Sequence, residues 1–216
     1  MTGTHTAEGS IAGLSCRAFA ADLAAKLPVP GGGGASALVG ALGAALCSMA
    51  GNFTAGKKRF AAVEDDVQHI LAEAEGLRHE LIGLIEADAA AFEPVSRAYR
   101  MPKEDPARAQ VLEVATKTAC SAPIETMRVC ARVVELLEEM GGMCSPMLLS
   151  DVGCGAVLCA AALRAASINV FVNTSALTDR AYAEALEREA DGLLEAYIPR
   201  AEALAARVTD HIRGRG

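Results

Sequence analysis

The 216 residues carry a net charge of −7 and are 52% hydrophobic, yet only 4% aromatic and free of Trp. Such an acidic chain lacks the basic field that nucleic-acid binders present to phosphates, which excludes a nucleic-acid partner. The length suits a single domain, 1–216, whose core is built from Ala and Leu at close helix spacing. Seven cysteines, odd in number and without a C-x-x-C pair, read as buried reduced thiols. Met1 to Ser10 shows no basic segment followed by an apolar run, so a cytoplasmic location is expected.

In chain order, Ser15 is placed to cap a short helix over 15–26, stopped by Pro28 and Pro30. Gly31 to Gly34 follow, a run that permits positive φ and close backbone approach. Ala37, Leu38, Ala41, Leu42, Ala45, Leu46, Met49 and Phe53 then recur at helical spacing and predict a helix over 35–54. Its small residues let neighbours approach closely all round, the mark of a central helix. The span from Gly31 to Gly56 is uncharged and long enough to cross a bilayer. Ser36, Ser48, Asn52 and Thr54 and the amphipathic remainder assign it to a protein core, so no membrane partner is expected.

Beyond Lys57, Lys58 and Arg59, one long amphipathic helix is predicted as far as Tyr99, kinked at most near Pro94. Asp88 falls on its apolar stripe, where a carboxylate is costly unless paired or used. A helical pattern over 107–140 is broken or kinked around Pro123 and ended by Gly141 and Gly142. A second apolar core helix is predicted over 151–169, capped by Ser150 or Asp151. Asn169 lies five turns beyond Asp151, about 27 Å along a straight helix, so one ligand touching both must be long or shared between subunits. Asn173 is one turn further if the helix survives Ile168, Val170 and Val172; those β-branched residues also suit extended chain. Thr178 and Asp179 open a last amphipathic helix reaching Arg213, with Tyr182, Ala185 and Leu186 inward, suited to structure or dimer formation.

The chemistry-bearing candidates are few. His5, His69, His79 and His211 have no paired ligand spacing, so no metal site is predicted. The glycine run opening onto a helix offers N–H groups to an anion, but neither dinucleotide nor Walker spacing can be drawn through it. No G-x-S-x-G is present. These readings describe an all-α, single-domain helical bundle with long amphipathic helices around a central Ala/Gly-rich helix, and they leave the function open.

Several blocks, however, resemble the cyclodeaminase/cyclohydrolase family of tetrahydrofolate enzymes: Pro30 to Ala37, Gly40 to Leu46, Asn52 to Arg59, Glu86 to Phe92, Ser150 to Gly153 and Ile168 to Asn173. The resemblance is collinear over nearly the whole chain. It implies either hydrolysis of 5,10-methenyltetrahydrofolate to 10-formyltetrahydrofolate or cyclisation of 5-formiminotetrahydrofolate with loss of ammonia. Both pass through one tetrahedral carbon between N5 and N10. The stretch over 168–184 and the absence of a fused transferase domain favour the cyclohydrolase; a catalytically silent folate-binding protein is the third reading. The resemblance implies Asp88 or Asp151 as general base toward a cationic substrate, with Lys57 on a tail carboxylate or a developing oxyanion and Lys58 beside it. Asn52, Asn169 and Asn173 would bond the pterin, and Gly32, Gly33 and Ser36 would form the turn against which substrate lies. No cofactor beyond the tetrahydrofolate substrate and a homodimer are expected.

Overall fold

A computed structural model describes residues 10–215, and His5 lies outside them. Seven α-helices run in order: α1 Cys16–Ala24, α2 Gly32–Asn52, α3 Glu64–Tyr99, α4 Arg108–Ala119, α5 Ser121–Met143, α6 Leu149–Ser175 and α7 Arg180–Ile212. Short 3-10 turns at Ile11–Gly13, Lys58–Val63 and Pro146–Leu148 join them, and no strand occurs among the described residues. The bundle is organised around α2, which packs against α3, α5 and α6; α7 closes over α5 and α6, and α4 lies on α3.

Small residues make that arrangement possible. A side chain at Gly43 would meet Cys159 Sγ at 2.5 Å and Gly155 O at 3.2 Å, so α2 and α6 touch almost backbone to backbone. At Gly40 a Cβ would lie 2.6 Å from Cys130 Sγ, which brings α5 equally near. Gly32 sits beside Asn169 while Gly43 sits beside Gly155, so the two apolar helices are antiparallel. Arg132 bridges Glu73 on α3 and Glu135 on α5, and Arg200 reaches Glu138, stapling α7 over the outside.

The structure revises several expectations. α2 begins at Gly32, inside the glycine run, with Gly31 as its extended N-cap. None of those glycines takes positive φ; among the described residues only Gly56 and Gly214 do. Neither Ser150 nor Asp151 caps α6, whose N-cap is Leu148; Asp151 lies in the first turn. α6 runs through Ile168, Val170 and Val172 to Ser175, because its packing against α2 overrides β-branched preference. α5 continues past Gly141 and Gly142 to Met143. As expected, α3 passes Pro94 without ending. Asp179 does cap α7, accepting from Tyr182 N at 3.1 Å, whereas Tyr182 and Ala185 are exposed. All seven cysteines are free as expected, but Cys16 and Cys154 are exposed.

α2 also departs from the picture of a helix covered all round. Ala37, Ala41 and Ala44 are buried, while Leu42 and Phe53 are about half exposed, at 50% and 53%, on the side away from α3, α5 and α6. Two segments, Gly32–Asn52 and Pro146–Ser175, are long and apolar enough to cross a membrane, and about half of each is buried inside the bundle.

Candidate active site

The site is built at the N-terminal end of α2. A helix start leaves its first N–H groups without partners, and Gly31 has no side chain to cap them. α3 supplies the acceptor. Asp88 follows Leu84 by one turn on the buried stripe, and its Oδ2 accepts from Gly34 N at 3.0 Å. Gly33 is required for space, since a Cβ there would overlap the Asp88 carboxylate. Ile85 closes in on the same turn, 3.5 Å from where a Gly34 Cβ would stand.

Burial disfavours the charged form of Asp88 and raises its pKa above the ordinary aspartate value; the Gly34 N–H pulls the other way and does not cancel the shift. The half-buried carboxylate thus sits beside the positive end of a helix, and among the described residues no cationic side chain is bonded to it. That suits a group that binds a cation or takes a proton.

α6 completes this end. Asn169 Nδ2 donates to Ala165 O at 2.9 Å, one turn back, which leaves Oδ1 facing Gly32, 3.3 Å from a Cβ built there. Asn173 Nδ2 donates to Ala119 O at 3.0 Å and ties α6 to the end of α4. Ser36 is buried and its hydroxyl donates to Gly33 O at 2.7 Å, locking the first turn of α2. Gly32, Gly33, Ser36, Asp88 and Asn169 therefore converge, while Asn173 is engaged by the end of α4. The Gly34 N–H is the participant that residue patterns did not single out; the glycine run was its only trace.

The other four candidates lie elsewhere in the chain. Asn52 ends α2, about 30 Å from Gly32 at the helical rise. It lines a separate cleft of about 470 Å³ with Gln68, Glu75 and Arg78. Lys57 and Lys58 are exposed just beyond, after the left-handed turn at Gly56, whose N–H is held by Glu64 Oε2 at 2.8 Å. Asp151 is half-buried at the start of α6, where its charge helps burial push up the neighbouring Cys144 thiol. Within one chain these residues form a second group, distant from Asp88.

Residues 15–192 match the family described as Formiminotransferase-cyclodeaminase. The chain belongs to this family. The cyclodeaminase-family chain is 44% identical over 180 residues to methenyltetrahydrofolate cyclohydrolase of Methylorubrum extorquens, covering 82% of itself and 86% of that protein. It is 29% identical to the formimidoyltransferase-cyclodeaminase of Mus musculus over 87% of its own length but only 36% of the mouse protein. The crystal structure of formiminotetrahydrofolate cyclodeaminase from Thermotoga maritima superposes with a TM-score of 0.80 at 31% identity, covering 93% of this family member and 96% of that chain.

Proposed function

We propose that the protein is a methenyltetrahydrofolate cyclohydrolase, hydrolysing 5,10-methenyltetrahydrofolate to 10-formyltetrahydrofolate. The observation that carries this reading is the 44% identity to the Methylorubrum cyclohydrolase across most of both chains. The geometry at α2 fits the chemistry. The substrate is a delocalised cation, and the Asp88 carboxylate supplies its counter-charge where no side-chain cation competes. Asp88 acts as the general base: water attacks the bridging carbon and gives its proton to Asp88. The bond from that carbon to N5 then breaks as the new hydroxyl gives up its proton and becomes the carbonyl, N5 takes up a proton in its place, and the carbon stays on N10 as the formyl group. The Gly34 N–H holds Asp88 in place, Gly33 leaves room for its carboxylate, and Asn169 Oδ1 beside Gly32 is available to a pterin N–H. The scheme uses no cofactor beyond the tetrahydrofolate substrate.

Asp151 fits this role less well, because it lies at the opposite end of α6 from Asn169. The enzyme works in the cytoplasm as a homodimer, a state supported by the uncharged, half-exposed face of α2. A cyclodeaminase activity on 5-formiminotetrahydrofolate is the second reading, favoured by the likeness to the Thermotoga structure.

The test is the loss of near-ultraviolet absorbance of 5,10-methenyltetrahydrofolate. The purified protein is expected to accelerate it over buffer and to yield the 10-formyl product. No acceleration, with ammonia released from the formimino substrate, would move the assignment to the cyclodeaminase. Inactivity on both would leave a folate-binding protein without turnover.

A further inference from the structure

The last three turns of α3 run on beyond Asp88 toward the start of α4. Asp88, Phe92, Val95 and Tyr99 fall within one stripe about 60° wide at 3.6 residues per turn. Val95 is buried with Ala115 and Ala119 of α4, but Phe92 and Tyr99 are 37% and 58% exposed. An exposed strip carrying two aromatic rings therefore leads from the carboxylate to the end of α3.

Two arginines stand at that end. Arg108, the first residue of α4, sets its guanidinium over the Tyr99 ring, 6.0 Å from the centroid. Its Nε is sealed from solvent and has no acceptor among the described residues, a costly state for a donor. Arg128, Arg132 and Arg200, which also bridge between helices, each hold a glutamate instead. Arg100 Nη2 donates to a neutral partner, Ser96 Oγ, at 3.0 Å. The nearby acids do not serve these two: Glu93 pairs with Arg97 at 2.9 Å, Asp105 Oδ1 accepts from Ala107 N at 2.9 Å, and Glu104 is exposed. Among the described residues, two guanidinium groups are thus left without a carboxylate in a chain of net charge −7.

Two cations beside exposed rings suit an anion carried on a flat, ring-bearing arm, and length selects which arm. Eleven residues separate Asp88 from Tyr99, about 16 Å at the helical rise. In a tetrahydrofolate the bridging carbon and the glutamate carboxylates stand roughly 10–13 Å apart at ordinary bond lengths. The water between that carbon and Asp88 adds about 3 Å, and the two spans agree. We propose that the strip from Phe92 to Tyr99, with Arg108 and Arg100 at its far end, is the subsite for the aminobenzoylglutamate arm of the substrate. The benzoyl ring lies against Phe92, and a glutamate carboxylate closes on the two guanidinium groups. Because Nε of Arg108 is sealed, the carboxylate meets its two outer nitrogens. This rests on the folate reading of the Asp88 site and adds to it the residues that read the tail.

The test compares 5,10-methenyltetrahydrofolate with 5,10-methenyltetrahydropteroate, which lacks the glutamate. The wild type is expected to prefer the first by at least about tenfold in kcat/KM, and Arg108→Gln should remove most of that preference, since one charge-assisted pair is worth about that factor. Arg108→Lys keeps the charge but not the planar fork and should restore part of it. Arg100→Gln changes an exposed position and should lower the ratio about threefold, which keeps the test open if Arg108→Gln does not fold. An equal fall on both substrates, or a ratio that no variant moves, overturns the proposal. The same ratio is read without turnover, as Kd for 5-formyltetrahydrofolate and its glutamate-free counterpart. A wild type that turns over neither substrate yet keeps the Arg108-dependent preference in Kd refutes the cyclohydrolase reading and upholds the subsite. No preference for the glutamate in either measurement refutes the subsite alone.

Discussion

The two ends of α2 are one helix apart and chemically opposite. At Gly32 the backbone, a half-buried carboxylate from α3 and an amide from α6 are drawn into direct contact. At Asn52 the helix runs out into exposed Lys57 and Lys58, and the adjoining cleft is open and polar. Asp88 and Asp151 show the same contrast. Both are aspartates on long helices, yet only Asp88 is pressed against another helix's N-terminus; burial there raises its pKa. A carboxylate's capacity for base chemistry thus comes from what neighbouring helices bring to it.

The sharpest way to break this contrast is Gly33→Ala. Its methyl group must displace the Asp88 carboxylate, so kcat/KM should fall by more than about 10³-fold and stability by about 1–3 kcal/mol in urea unfolding. Near-normal activity would show that the contact at Gly33 is dispensable. Asp88→Asn should lower turnover about 10²- to 10⁴-fold while Asp151→Asn stays within about threefold. The reverse pattern in steady-state kinetics would move the chemistry to the other end. Asn169→Ala removes one hydrogen bond to bound substrate and should raise KM about tenfold with kcat little changed. A fall in kcat at unchanged KM would assign Asn169 to the transition state instead.

The smallest effects concern pH. The rate should decline on the acid side with a midpoint above the ordinary aspartate value of 3.8, because the base works only when ionised. Stability moves the opposite way. The folded chain holds the Asp88 proton more tightly than the unfolded chain does, so this residue lowers stability as pH rises from 3.8 through the raised pKa. Asp88→Asn should abolish that slope in thermal melts across the window, and an unchanged slope would assign it to other groups.

Much of the fold was legible in residue order. The i, i+3, i+4 recurrence located α2, α3 and α7, Ser15 and Asp179 marked true helix starts, and Pro123 lies in the first turn of α5. Asp88 stood out because a charge on an apolar stripe must be compensated. Other features escaped because they depend on contacts between distant segments. The glycine run looked like a site for unusual backbone torsions, but its use is to admit Asp88, 54 positions away from Gly34. The extension of α6 through its β-branched residues follows from packing on α2. Glu86 holds Ser10 Oγ at 2.6 Å and Ala12 N at 2.8 Å, a clasp across more than seventy positions that no local pattern announces.

By itself, the sequence determined an all-helical chain, a central small-residue helix, an uncompensated aspartate and the blocks that place it in its family. Periodicity and composition are local properties, and each can be read along one helix at a time. Only the tertiary structure decided that Asp88, Asn169 and the glycines share one end while Asp151 and the lysines share the other, and that α2 is left open on one side. Those facts depend on helix direction and close approach, which arise when separate helices pack antiparallel against one another and are written in no single segment.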